Sequence, residues 1–345
     1  MPVVTPANAY LVGLAKQTNE ATVPATAAYS LPVFSSDLAP RFDLRRIEVT
    51  DAASIEGDPY KSPSWWQADA IEFPAFDDSL GAVLVGMWPT DTATGTTPTR
   101  NHAFSGLGGV QPWMAFYSHW TDAGINYEET FGKGLVTGLT FSGSAEGGPL
   151  RVSVAALGQE VTGATTAAFP ATVADLLSAG WFGLQLTNAK IELDIDTPNV
   201  NPSVSVTNVR SYSLNVSRNA SPEPTATGMT VTNISQGKLA NTGTLEVLWD
   251  AVALDTYRAS FFGSAAGTSL SSTIVRGALE LTFRHSVSAD SQFILYIPAV
   301  MFQAAAAVPN PDGSALAQTI TLAVFKPTSG DHVQPTLINN VTAAY

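Results

Sequence analysis

The sequence predicts an all-β fold with minor α content, organised as two β-sandwich or barrel domains that each carry one short flanking helix. Three observations predict it. Short runs alternate polar and apolar residues along most of the chain, the period of a half-buried strand. The composition is rich in Thr, Ser and Val, of which Thr and Val suit a pleated surface. A nine-residue cassette also occurs twice, as Asp78-Ser79-Leu80-Gly81-Ala82-Val83-Leu84-Val85-Gly86 and as Asp255-Thr256-Tyr257-Arg258-Ala259-Ser260-Phe261-Phe262-Gly263. Both copies read Asp, hydroxyl residue, apolar, any, Ala, any, apolar, apolar, Gly.

Residues 1–40 are rich in Thr, Ala and Pro and read as an extended N-terminal arm. A first domain is expected over 41–165, with strands at 46–50 and 70–74. The first cassette predicts a short amphipathic helix. Asp78 would accept from the free N–H groups of its first turn, Leu80 and Leu84 would share a face, and Gly86 would end it in the left-handed conformation. Residues 95–132 read as an insertion that holds His102, Trp113, His119 and Trp120. The strands 134–141 and 150–156 then form a hairpin across a Gly-rich turn.

A second domain is expected over 166–345. Residues 172–180 read as a helix or a linker, with Thr172 as its cap. Strands follow at 184–195, 210–216 and 243–249. The second cassette predicts a helix capped by Asp255, with Tyr257 and Phe261 on one face. Residues 278–283 pair by pattern with 293–298, and 319–325 form a last strand. Leu281-Thr282-Phe283 repeats Leu139-Thr140-Phe141 letter for letter. The preserved order of strands, helix and hairpin points to an internal duplication.

The 345 residues suffice for two ordinary domains. Charged residues make up 13%, well below the roughly 25% of an average soluble domain. The surface is therefore covered by Ser, Thr, Asn, Gly and Ala, or is buried in partners. Sixteen basic against 29 acidic residues give a net charge of −13. That balance disfavours binding to nucleic acid, which needs a basic footprint. With no cysteine in the chain, a disulfide scaffold and a thiolate metal site are excluded. No signal peptide and no apolar run of membrane-spanning length is expected. The glycosylation-type sites at Asn215, Asn219, Asn233 and Asn340 read as chance matches in a chain rich in Ser, Thr and Asn.

The search for chemistry yields no catalytic, cofactor-binding or metal-ligating residue. His102, His119, His285 and His332 lack metal-ligand spacing. Carboxylate pairs occur at Asp77/Asp78, Glu128/Glu129 and Asp194/Asp196; the last would share one face of a strand, where it could hold a cation or sit in a cleft, but it reads as a solvated strand end before Thr197-Pro198 rather than an acid/base pair. The stretch Gly143-Ser144-Ala145-Glu146-Gly147-Gly148 lacks the contexts of a phosphate loop or nucleophile elbow and reads as a hairpin tip. Trp65, Trp66, Trp113 and Trp120 are core or interface anchors, or else a sugar-stacking platform.

Three places carry a family resemblance. The opening Gly13-Leu14-Ala15-Lys16-Gln17-Thr18-Asn19-Glu20-Ala21-Thr22-Val23-Pro24 is one, with Gln17 and Ala21 departing from the usual Glu and Gly. The segment 77–86, followed by Asn101-His102-Ala103-Phe104 and Gln111-Pro112-Trp113, is the second. The strands 134–141 and 209–214 are the third. In these the chain resembles the tail tube, or major tail, proteins of long-tailed bacteriophages, in a duplicated-domain form.

The resemblance implies two tail-tube-like domains and a structural virion protein that is not an enzyme and needs no cofactor. It implies stacked rings around a lumen that conducts DNA into the host. The rings would be trimeric and pseudo-hexameric, or alternatively hexameric. The tape measure protein and genomic DNA would pass through without specific binding. The chain would be made in the host cytoplasm and reside in the virion tail. The competing expectation is a carbohydrate-binding β-sandwich of a virion or cell surface.

Overall fold

The computed structural model describes residues 10–47, 58–96, 99–122, 125–164, 182, 189–225, 230–286, 288, 290–304 and 316–345. Among them the fold is all-β with two helices, as the alternating pattern predicts. The first half holds β1 (Leu11–Lys16), β2 (Tyr29–Leu31), β3 (Ser35–Ser36), β4 (Ala39–Arg41), β5 (Leu44–Ile47), β6 (Asp58–Lys61), β7 (Trp65–Pro74), α1 (Leu80–Met87), β8 (Thr90–Thr94), β9 (Arg100–Ser105), β10 (Met114–Asp122), β11 (Ile125–Ser144) and β12 (Arg151–Ala164). The second holds β13 (Ala189–Asp194), β14 (Val204–Ser205), β15 (Val209–Ser217), β16 (Ser221–Glu223), β17 (Asn233–Ser235), β18 (Ala240–Leu248), α2 (Ala251–Phe262), β19 (Gly277–Arg284), β20 (Gln292–Ala304), β21 (Ala317–Val324) and β22 (Gln334–Asn339). The expected helix or linker at 172–180 lies outside the described residues.

One layer runs β7–β12–β11–β15–β18–β21, every neighbour antiparallel. It crosses from one half of the chain to the other where β11 meets β15. A second layer runs β13–β19–β20–β22–β9–β8. Two long strands change partners along their length, and β20 thereby joins the two layers. β20 gives its first residues to β22 and its last to β21. β11 gives its N-terminal part to β10, which continues to β1 and β2, and its C-terminal part to β15. The layers pack through aromatic rings: Phe141 lies 5.6 Å from Phe293, and Tyr212 stacks on Phe283 at 5.5 Å. Leu139, Val154, Leu214, Leu245 and Leu322 fill the same core.

The hairpin β11–β12 forms across the Gly-rich turn as expected, with Gly147 and Gly148 at φ 105° and 103°. The pairing of 278–283 with 293–298 is also present, with Phe283 opposite Phe293 and Leu281 opposite Leu295. Within residues 1–40, β1 is an inner strand, with Val12 and Leu14 fully buried. The stretch 95–132 supplies β9, β10 and the start of β11.

The cassettes need correction. α1 is not amphipathic: all eight of its residues are buried. It carries no charge, and a helix apolar all round is stable only inside a core. Asp78 does not cap it; the cap position is Ser79, which makes no side-chain cap bond. Gly86 lies within the helix rather than past its end, and a Cβ there would overlap Val136 of β11. In the second copy, Asp250 and not Asp255 caps the helix, accepting from the Ala253 N–H at 2.8 Å. Asp255 lies inside α2. Gly263 does end it, in the left-handed conformation at φ 76°. The buried face is Ala253, Thr256 and Ala259, while Phe261 is 41% exposed and its ring lies 4.9 Å from that of Tyr257. The two copies match in letters but occupy different helical positions.

Candidate functional site: a hydroxyl-lined sheet face

Strand alternation sends one set of side chains from β7–β12–β11–β15–β18–β21 into the core and the other set outward. The outward set is almost entirely small and polar. Register places Glu72, Ser153, Thr140, Asn215, Thr242 and Ala323 in one row across six strands. The next row is Arg151, Ser142, Ser213, Thr244 and Thr321, continued by Gln303 on β20. A third row is Ser144, Ser211, Glu246 and Thr319. Six strands at ~4.8 Å spacing make this face about 24 Å wide.

Hydrogen bonds tie its rows together. Asn215 Nδ2–H donates to Thr140 Oγ1 at 2.8 Å, across the junction between the two halves. Ser211 Oγ–H donates to Glu246 Oε2 at 3.0 Å, and Arg210 donates to the other oxygen at 3.4 Å. Arg210 is thereby offset by Glu246, and Arg151 lies over the Phe34 ring at 5.2 Å. No lysine stands in these rows. A groove of 460 Å³ opens on the face, lined by Gln67, Asp69, Thr140, Ser153, Asn215 and Asn219 among others. Hydroxyls and amides donate and accept equally, so the surface is well hydrated and attracts neither charge strongly.

The histidines lie away from this face. His102 is fully buried, its Nδ1 2.9 Å from Asp91 and its Nε2 3.1 Å from the Val341 carbonyl oxygen. His119 Nδ1 lies 2.8 Å from Glu128. His285 accepts the Ser288 N–H at 2.9 Å and sits 4.0 Å from Asp77. Burial lowers the pKa of His332. Asp78 has its pKa raised by burial and then by Asp77. Asp194 Oδ1 accepts the N–H groups of Asp196 and Thr197, which closes a turn. Among the described residues no group of three or more His, Cys, Asp or Glu could hold a metal.

The tryptophans part ways. Trp66 is fully buried between Phe116 and Phe131, and its Nε1–H donates to Gly132 O at 2.8 Å. Trp65 and Trp113 are half-buried, and Trp120 is exposed. They do not form one platform. Reading sequence for isolated motifs missed the hydroxyl face, whose signal lay in alternate positions of strands such as Arg210-Ser211-Tyr212-Ser213-Leu214-Asn215-Val216-Ser217.

The broadest feature of this molecule is thus an extended, evenly polar surface on a sheet that unites both halves of the chain. Fold and surface define a β-sheet protein of the structural, surface-presenting kind. Residues 8–324 match the profile of the phage tail tube protein family, and the chain belongs to that family. It is accordingly a structural component of a phage tail, one that assembles into a tube. No curated protein matches the chain. Among the described residues no helix is long and apolar enough to cross a membrane.

Proposed function

We propose that copies of this chain form rings that stack into a tube, with the hydroxyl-lined face turned toward a lumen that conducts DNA into the host. The observation that carries this reading is the face itself: three registered rows of mostly Ser, Thr, Asn, Gln and Glu with no lysine and one arginine, Arg151, while Arg210 beside them is held by Glu246. Polyphosphate binds through Lys and Arg with release of counterions. With Arg151 as the one cation in these rows against the carboxylates of Glu72 and Glu246, the face gives DNA little to hold, and its hydroxyls keep a continuous water layer.

On this reading each chain contributes two tail-tube-like domains, 41–165 and 166–345, so that three chains make a pseudo-hexameric ring. The recurring order supports it: β7, α1 and the β11–β12 hairpin in one half, β18, α2 and the β19–β20 hairpin in the other. The tape measure protein occupies the lumen before DNA does, and neither is bound in a sequence-specific way. The chain carries no catalytic role. It is made in the host cytoplasm and ends in the virion tail.

The test is a set of lysine substitutions on the face, Thr140→Lys, Ser213→Lys and Thr321→Lys, in phage particles. Tails should still assemble, while DNA release slows and the slowing weakens as salt rises. DNA release that matches the native rate at low salt in all three would contradict the lumen assignment.

A further inference from the structure

Two features lie outside the three rows of the hydroxyl face, the second bordering its groove through Pro222. The first is a knob. The β10–β11 hairpin presents His119 and Glu128, joined to each other, on one side and Trp120 and Tyr127 on the other. Trp120 is 49% exposed and Tyr127 40% exposed, with their rings edge to face at 5.1 Å. Large aromatics left in water on a projecting hairpin mark an interaction surface.

The second is a cup. Trp65, Pro63, Pro222, Pro224 and Val231 line a cavity of 240 Å³, with Asp43 and Ser62 at its polar side. That is room for one large aromatic side chain, and Trp120 of the same chain does not occupy it. Phe42 and Leu44 are exposed nearby in the chain, and Lys61 lies over the Phe42 ring at 4.4 Å. On the knob, Tyr127 O–H donates to Glu129. The knob thus brings an indole, whose N–H requires an acceptor when buried, together with a carboxylate. The cup offers an apolar seat, the Asp43 carboxylate for that N–H, and a neighbouring ammonium for Glu129.

We propose that Trp120 of one copy seats in the Trp65/Pro222/Pro224/Val231 cup of a second copy. The inference rests on the tube reading and gives it a named contact. A knob and a cup at different places on one surface form a heterologous contact, the kind that propagates rather than closing as a twofold dimer. Carbohydrate in the cup is the competing occupant.

The experiment uses the full chain. Trp120→Ala should raise the concentration needed for tube assembly about thirtyfold, the factor that ~2 kcal/mol at an interface hot spot represents. Trp120→Phe should restore most of the loss, and circular dichroism should show both variants folded. Because the chain has no cysteine, Tyr127→Cys and Pro224→Cys preparations, both keeping Trp120, can be mixed and treated with a short bismaleimide. A cross-linked pair should form in the mixture at far higher yield than in either preparation alone. If native chain forms tubes but Trp120→Ala assembles at the native threshold, or the mixture gives no cross-link, the contact is wrong and the tube reading stands. If native chain forms no tubes, both fall. Binding of a glycan that Trp65→Ala abolishes, with assembly unchanged by Trp120→Ala, would assign the cup to carbohydrate instead.

Discussion

Gly158→Ala tests how the first half is packed. Gly134 of β11 and Gly158 of β12 lie directly opposite one another, and the Trp66 indole lies across both. A Cβ on Gly158 would overlap Trp66 Nε1, Cε2 and Cζ2, and a Cβ on Gly134 would overlap Cζ2 and Cη2. The ring cannot retreat, because Phe116 and Phe131 hold it edge-on at 5.6 and 5.7 Å and its N–H is bonded to Gly132 O. Overpacking of a rigid core costs typically 1–3 kcal/mol, and the fixed ring puts Gly158→Ala at about 3. Trp66→Phe loses the hydrogen bond and part of the ring, about 2–3 kcal/mol. Phenylalanine lacks the outer Cζ2 and Cη2 atoms, and its smaller ring leaves room to tilt away from the added methyl. The double variant should therefore cost about 3 kcal/mol instead of the additive 5–6, a coupling of 2–3. Urea unfolding followed by far-ultraviolet circular dichroism measures all four proteins without relying on the tryptophan signal. Additive costs, or a Gly158→Ala protein as stable as the native one, would refute the packing argument.

Three further outcomes are expected. Tyr212 is buried, its hydroxyl has no partner among the described residues, and burial raises its pKa well above the usual value. Tyr212→Phe should accordingly leave stability unchanged or raise it by ~1 kcal/mol, read from the urea midpoint; a loss above that size contradicts it. Asp250→Ala removes the cap of α2 and the bond from Asn208 Nδ2–H at 3.0 Å. It should cost about 1–2 kcal/mol, whereas Asp255→Ala, which caps nothing, should cost much less. Asp78 has a pKa raised in the fold by burial and by Asp77, so the native state holds a proton that the unfolded chain releases, and its contribution is lost as pH rises from about 4 through the raised value. Asp78→Asn should flatten that decline and gain on the native protein between pH 4 and pH 7; an equal midpoint difference at both pH values would argue against it.

Much of the strand content is legible in the residues because alternation is local. Residues 210–216 and 278–283 show their inward Leu, Tyr and Phe at every second place, and the structure keeps that register. What stayed hidden depends on distant partners. β22 is a short strand whose role is to join β9 to β20, and Tyr345 beyond it fills the space above Gly81. The Asn339 amide and the Asp91 carboxylate hold that residue in place. Nothing local in 334–345 announces a bond to residue 91 or 102. The cassettes misled for a related reason. Asp78-Ser79 and Asp255-Thr256 carry the same capping letters, but tertiary packing decided where each helix starts, and α2 begins at the better-placed Asp250. The hydroxyl face was readable only once registers lined up Thr140, Asn215 and Thr242 from three separate strands.

Which face of the sheet meets the lumen decides how the tube would handle DNA. An electron cryomicroscopy reconstruction of assembled tubes, resolved to side chains, measures it directly. The rings should show Thr140, Asn215, Ser213, Thr244 and Thr321 lining the central channel. A channel lined by the opposite layer, or by Lys and Arg side chains, would contradict it.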